Sequence, residues 1–213
     1  MSLGDFVHGG GSVLIVIIIL GLIGLFFFFE RLFVLLKERN DMMATMVKVR
    51  NAIAQKNITA AKQHCRSSSN IFSSVMLRAF EYYEQQKIDA FDGSLKDIVE
   101  EEALKLERNY RYINIVAALA PLLGFLGTVI GMMQVFGKIG TVNTANVSSL
   151  PSIFSSGISL ALYTTVGGLA VAIPLLILMA ILREIEDRLV ESTTDEVRSI
   201  AMKLKLLPIE EVQ

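Results

Sequence analysis

Charge is missing from long stretches of this chain. Its 20 basic and 21 acidic residues leave three windows empty, 13–29, 112–137 and 139–182, of 17, 26 and 44 residues. A water-soluble domain has no reason to segregate charge in this way. A helix needs about 20 apolar residues to cross a hydrocarbon core of about 30 Å. The first window reaches that length with its apolar flanks. The second fits one span, and the third fits one span plus an uncharged re-entry loop. A closed barrel also satisfies its backbone in lipid, but it needs short alternating segments, and these runs are continuous. The chain is read as an all-α integral membrane protein with transmembrane helices over 13–34, 113–136 and 157–182.

Other absences narrow the function. A single cysteine, Cys65, excludes an internal disulfide. Cys65 beside His64 has no further Cys or His near it, so no metal site is expected. A net charge of −1 gives nucleic acid no footing. Paired carboxylates, a nucleophile–base set and a phosphate-binding loop are all wanting at any plausible site, which argues against an enzyme and against a cofactor. "GFLGTVIG" imitates a glycine-rich loop but lies inside an apolar span. No internal repeat links the spans, as a small solute transporter would show.

Lysine and arginine orient the spans. Segment 1–12 holds none, 30–112 holds fourteen, 137–156 holds one and 183–213 holds five. The positive-inside rule places 35–112 and the tail 183–213 in the cytoplasm, with 1–12 and the loop 137–156 outside. Residues 1–12 lack the positive start of a signal peptide, and "FFFFERLF" is a poor cleavage context, so the first apolar run is expected to be retained.

The cytoplasmic parts read as helical. Residues 37–93 suggest short amphipathic helices, broken at "CRSSSN" and again at "KIDAFDGS". Ser94 with Asp97 forms a capping-box pattern. With no breaker before Pro121, one helix is expected over 94–136, extending the second span about 65 Å in all. The third span is expected to run on to a stop near Pro208, with Ile185, Leu189, Val197 and Met202 forming an apolar seam.

Two spans carry matching faces of small residues. Ala117, Ala120, Gly124, Gly127 and Gly131 follow helical steps along the second, and Gly157, Ala161, Thr165, Gly168 and Ala172 along the third. Lipid tails are as apolar as leucine, so such helices associate through close backbone approach, which small residues permit. Pro121 and Pro174 each remove a backbone bond and are expected to kink their helices. Thr128, Thr164 and Thr165 can bond back to a carbonyl one turn earlier. Apart from the Tyr163 phenol, the second and third spans hold no ionisable side chain, and the first holds only Glu30 and Arg31 near its end. Such residues mark proton relays in membranes. If protons cross here, a different polypeptide brings the carboxylate.

"APLLGFLGTVIGMMQVF" followed by "GISLALYTTVGGLAVAIP" closely resembles the paired signatures of the MotA/TolQ/ExbB proton-channel family. Three spans, a large loop between the first two and "ERLFVLL" after the first match the ExbB/TolQ branch. The resemblance implies a homo-oligomeric ring, a pentamer, in the bacterial inner membrane. Its second and third helices would line an apolar pore around two ExbD/TolR-like single-span partners, each with a membrane aspartate. Ion flow would drive an envelope process through a TonB- or TolA-like protein. Thr128 and Thr165 match the pore threonines of the family. One departure stands out: many relatives have glutamate where this chain has Leu160, which leaves the partner aspartate as the carrier and opens sodium as well as proton as the ion. The alternatives are a non-conducting membrane scaffold, which predicts that Thr128→Val and Thr165→Val are silent, and a MotA-like stator driving motility.

Overall fold

The computed structural model describes residues 3–85, 87–106, 110–140 and 150–206, the side chains of 3–10 and of 89 excepted. Regular structure among them is helical throughout: α1 (Leu3–Ala54), α2 (Ile58–Arg66), α3 (Ile71–Glu84), α4 (Ile88–Ala103), α5 (Tyr110–Ile139) and α6 (Leu150–Lys205). Three helices are long and apolar enough to cross a membrane: Gly11–Ala54 within α1, α5 and α6. The chain separates into two compact units, Met1–Glu30 with Asn109–Ala180 and Arg31–Arg108 with Ile181–Gln213.

The first unit holds the apolar parts of α1, α5 and α6. Gly11 breaks the helical path near the start of α1, at φ 62° and ψ −161°, a conformation open to glycine. Beyond it, Gly21 and Gly24 bring α1 against its neighbours. A Cβ at Gly21 would lie 3.0 Å from Val171, and one at Gly24 would lie 2.7 Å from Leu175 and 3.1 Å from Val116. Phe27 stacks on Tyr112 with ring centroids 4.9 Å apart. About a third or less of each apolar window is buried, so most of its surface faces outward, for lipid or other chains.

The second unit is a helical bundle with a conventional core. Phe72, Phe80, Phe91, Met76 and Leu95 are fully buried there. Burial of this kind is worth about 1.5–3 kcal/mol per large apolar side chain. Two helix starts are capped by side chains. The Asn57 side chain accepts from Ala60 N at 2.8 Å and begins α2. Asn70 accepts from Ser73 N at 2.8 Å and begins α3. Glu38 adds a second acceptor, taking Ile71 N at 2.7 Å. These bonds satisfy backbone donors that have no partner inside their helix. Arg78 forks onto Glu101 at 2.8 and 3.0 Å and ties α3 to α4. The distal part of α6 belongs to the same bundle. Leu182, Leu189, Val197, Ile200 and Leu204 are buried, Thr193 donates to Met42 Sδ at 3.1 Å, and Arg50 pairs with Glu196.

Three expectations change. The single helix over 94–136 is not observed: α4 ends at Ala103, Leu104–Leu106 turn, and α5 begins at Tyr110. The second apolar span therefore has no long helical extension of the predicted kind. Ser94 does not open a helix. It lies inside α4, which starts at Ile88 behind Lys87, with no side-chain cap. The first apolar span does not give way to separate short helices at 37, because α1 runs on to Ala54. It ends where Lys56 turns left-handed at φ 58° and Asn57 N reaches back to Ala52 O at 2.9 Å, a standard way to close a helix.

The third apolar helix extends as expected, to Lys205, while Pro208 lies outside the described residues. Of its proposed seam, Leu189 and Val197 are buried, Ile185 is half-buried and Met202 is exposed. The loop 137–156 narrows at both ends, since α5 persists to Ile139 and α6 begins at Leu150; residues 141–149 lie outside the described residues. Both Pro121 and Pro174 sit inside helices that continue through them.

Candidate functional site

The small residues of α5 form its buried face. Ala117, Ala120, Gly124, Gly127 and Gly131 are all buried, whereas Leu122, Phe125, Met133 and Phe136 point outward. Against that face lies α6. A Cβ at Gly124 would meet Thr164 O at 2.9 Å and Thr165 Cα at 3.2 Å; one at Gly131 would meet Gly157 O at 2.9 Å and Ala161 N at 3.3 Å. From the other side, a Cβ at Gly168 would approach Ala120 O to 2.5 Å, and one at Gly157 would collide with Val135. At Gly124, Gly131 and Gly168 backbone meets backbone, while the side chains of Thr164 and Val135 pack against Gly127 and Gly157. Ala161 and Ala172 are buried on the same α6 face.

Three hydroxyls decorate this pair of helices. Thr164 is fully buried against Gly127. Its hydroxyl lies 2.9 Å from Ala161 O and 3.2 Å from Leu160 O, so it is shared within its own helix. Thr165 is half-buried and donates to Ala161 O at 3.2 Å. Thr128 is half-exposed and donates to Phe125 O at 2.6 Å. Each proton is thus satisfied by the preceding turn, as apolar surroundings require. The lone pairs of Thr128 and Thr165 keep access to the surface, and those of Thr164 do not.

Near the end of α5 and the start of α6 there is an open recess of about 360 Å³. Gln134, Val135, Lys138, Ser156, Ser159 and Leu160 line it. Leu160 also stands close to Gly11, where a Cβ would come within 3.3 Å of its methyl group. At this recess Leu160 presents a branched alkyl group beside two serines.

Sequence reading passed over Gly21 and Gly24, which let α1 approach α5 and α6. Their spacing of three in "GLIG" was the available signal. The internal position of Thr164 was also not evident, because neighbouring threonines look alike until the helix is phased against its partner.

A family model described as the MotA/TolQ/ExbB proton channel family matches residues 63–195, a stretch that holds both signature helices up to the distal part of α6. The chain belongs to that family. Similar curated proteins place it in the ExbB/TolQ branch. It is 30% identical over 89 residues to Biopolymer transport protein exbB1 of Vibrio cholerae serotype O1, covering 39% of this chain and 38% of that protein. It is 33% identical over 96 residues to Biopolymer transport protein ExbB of Helicobacter pylori, covering 45% and 60%. A putative biopolymer transport protein ExbB homolog of Methanothermobacter thermautotrophicus is 25% identical over 203 residues, covering 95% of this chain and 68% of that protein. The chain thus matches less than two thirds of the length of the Vibrio and Helicobacter proteins. The α5–α6 pair of this ExbB/TolQ-branch protein carries Thr128 and Thr165 as half-exposed polar residues on an otherwise apolar surface.

Proposed function

We propose that this protein is the channel subunit of an ion-driven motor in the bacterial inner membrane. Copies assemble as a pentameric ring, with the N-terminus and the loop 137–156 on the periplasmic side and the tail in the cytoplasm. Inside the ring sit two ExbD/TolR-like single-span partners, each carrying a membrane aspartate. The motor drives an envelope process through a TonB- or TolA-like protein, as the transport names of the relatives suggest.

The observation that carries this reading is the pairing of α5 and α6, two spans free of Asp, Glu, Lys and Arg over 112–137 and 139–182, with Thr128 and Thr165 as polar points near the surface. A carboxyl group moved along such a wall is stable neutral against alkyl side chains and stable charged beside hydroxyls. Protonation then becomes coupled to the position of the partner. One elementary charge crossing 100 mV releases about 2.3 kcal/mol, enough to bias each step. Leu160 leaves this subunit without a carboxylate of its own at the recess, so the partner acid carries the ion.

Single Thr165→Val and Thr128→Val variants test the proposal. Valine keeps the shape and removes the hydroxyl. With an ExbD-type partner in vesicles, both variants are expected to assemble as the wild type does, by native mass spectrometry, and to lose proton flux. Thr164→Val, which alters a hydroxyl sealed inside the helix pair, is expected to keep it. Unchanged flux in the first two variants would show that these hydroxyls are not part of the path, and no flux from the wild type with its partner would favour a non-conducting scaffold.

A further inference from the structure

Where α1 faces the segment that joins α2 to α3 there is an open groove of about 600 Å³. Every residue that lines it belongs to the unit of Arg31–Arg108 and Ile181–Gln213. One wall is a single face of α1, where Phe33, Lys37, Asp41, Ala44 and Lys48 follow helical steps of 4, 4, 3 and 4. The other wall is Ser67, Ser68, Ser69 and Asn70. The floor between them is fixed. Asn70 Nδ2 donates to Thr45 Oγ1 at 3.1 Å, the Thr45 and Ser68 hydroxyls lie 3.0 Å apart, and Glu38 takes Ile71 N at 2.7 Å. The charges on the rim are not committed: among the described residues Lys37, Asp41 and Lys48 pair with no opposite charge. Glu38 and Asp41 line the groove together. Burial, with the charge of Asp41 adding to it, holds the Glu38 carboxyl above the ordinary carboxylate range, although the Ile71 N–H and Arg31 pull it down. Two neighbouring carboxylates are both stable as anions when a cation sits between them.

The order of groups along α1 identifies the ligand. The span read from the sequence ends at 34, and Phe33 and Val34 form the apolar end of the groove. Lys37 comes next, then Glu38 and Asp41. Side chains lean toward the N-terminus of their helix, which in this part of α1 is the membrane end, so these charges reach back toward the headgroup layer. A phospholipid presents its own groups in a matching order: acyl chains, then phosphate, then the terminal group of the head. A terminal ammonium would meet the two carboxylates. An anionic headgroup would meet the same two carboxylates with Lys37 alone to offset them, and is disfavoured. A primary ammonium donates hydrogen bonds to carboxylates, which a quaternary one cannot do. Lys48 lies eleven positions beyond Lys37, about 16 Å along the axis, out of reach of the same headgroup. We infer that this groove binds the headgroup of a membrane phosphatidylethanolamine, with its phosphate on Lys37 and its ammonium on Glu38 and Asp41. The inference rests on α1 crossing the membrane, and not on ion conduction or on the number of copies that assemble.

Native mass spectrometry of the full chain, purified in detergent and stripped of lipid, tests it. The probes are phosphatidylethanolamine, phosphatidylglycerol and phosphatidylcholine with matched acyl chains. The protein is expected to hold phosphatidylethanolamine about tenfold more tightly than the other two, the worth of one charge-assisted hydrogen bond. Asp41→Asn is expected to bring phosphatidylethanolamine down to the phosphatidylcholine level without weakening phosphatidylglycerol. Lys37→Gln is expected to weaken phosphatidylethanolamine by a similar factor. Lys48→Gln, at the far end of the groove, and Lys96→Gln, on α4 and outside it, are expected to change nothing. All four side chains are exposed, so folding is not at risk. Phosphatidylglycerol held as tightly as phosphatidylethanolamine would overturn the inference. A silent Asp41→Asn, or a Lys48→Gln as damaging as Lys37→Gln, would do the same. Displacement of the lipid by an equal concentration of free phosphoethanolamine would also overturn it, since the groove would then be a site for a soluble ligand.

Discussion

Gly127 of α5 lies so close to Thr164 of α6 that a Cβ placed on it would be 2.5 Å from the threonine Cβ and 2.7 Å from its methyl group. The two residues are complementary: a residue with no side chain faces a branched one whose hydroxyl is already spoken for within its own turn. The geometry of the α5–α6 pair depends on that match.

Gly127→Ala is therefore expected to destabilise the protein by about 1–3 kcal/mol, the usual cost of overpacking a tight contact. Since the obstruction is a side chain, Thr164→Gly, which removes the Cβ as well, is expected to restore part of the loss in the double variant, and Thr164→Ala, which keeps that Cβ, is expected to restore less. Thermal unfolding in detergent reads both effects. Additive losses would show that the two side chains do not meet.

Gly168→Ala makes the contrasting case. Here the obstacle is the Ala120 carbonyl oxygen, 2.5 Å away. No side-chain deletion relieves a backbone clash, so the loss is expected to persist whatever replaces Thr164. Rescue of Gly168→Ala by Thr164→Ala, measured by the same melts, would contradict the packing described.

Much of this was legible in the sequence, and the reasons for the rest are specific. Apolar runs located the three long helices, and the spacing of Gly124, Gly127 and Gly131 marked the face that meets α6. The break after Ala103 was not legible because "EEALKLERN" contains no glycine or proline. Up to that point α4 is held against α3: Tyr82 lies against Phe91 with centroids 5.5 Å apart, and Arg78 grips Glu101. Ser94 resembled a cap only locally. Phe91 and Leu95 are both fully buried one turn apart, and that packing pulls the helix start back to Ile88. Long-range contacts made both decisions, and periodicity does not report them. At the site, the sequence named Thr128 and Thr165 and set Thr165 on the small-residue face of α6, whereas the threonine sealed inside the contact is Thr164.

Asn70 is expected to be a point of weakness in the bundle unit. It is buried, accepts from Ser73 N and Ser73 Oγ, and donates to Thr45 Oγ1 at 3.1 Å. Asn70→Ala removes the α3 cap and strands buried polar groups, with an expected cost of about 1–3 kcal/mol. Asn70→Asp keeps the acceptor and is expected to cost less. Chemical denaturation compares the two, and equal losses would mean that the cap is not what matters.

Burial pushes the Cys65 thiol up to about 12. The folded state then resists forming a thiolate. Stability from this group is complete below the ordinary thiol range of about 8.5 and is lost as pH rises through that range towards the folded value. Cys65 is expected to resist maleimide at neutral pH and to react once the protein is unfolded. Rapid labelling of the folded protein would show that the thiol is reachable.

The most direct test of the ion-carrier assignment is proton uptake by vesicles under an imposed potential, read with an internal pH dye. The protein alone is expected to leave the dye unchanged. Together with an ExbD-type single-span partner it is expected to admit protons, and Asp→Asn in the partner's span is expected to stop them. Proton uptake by the protein alone would contradict the account.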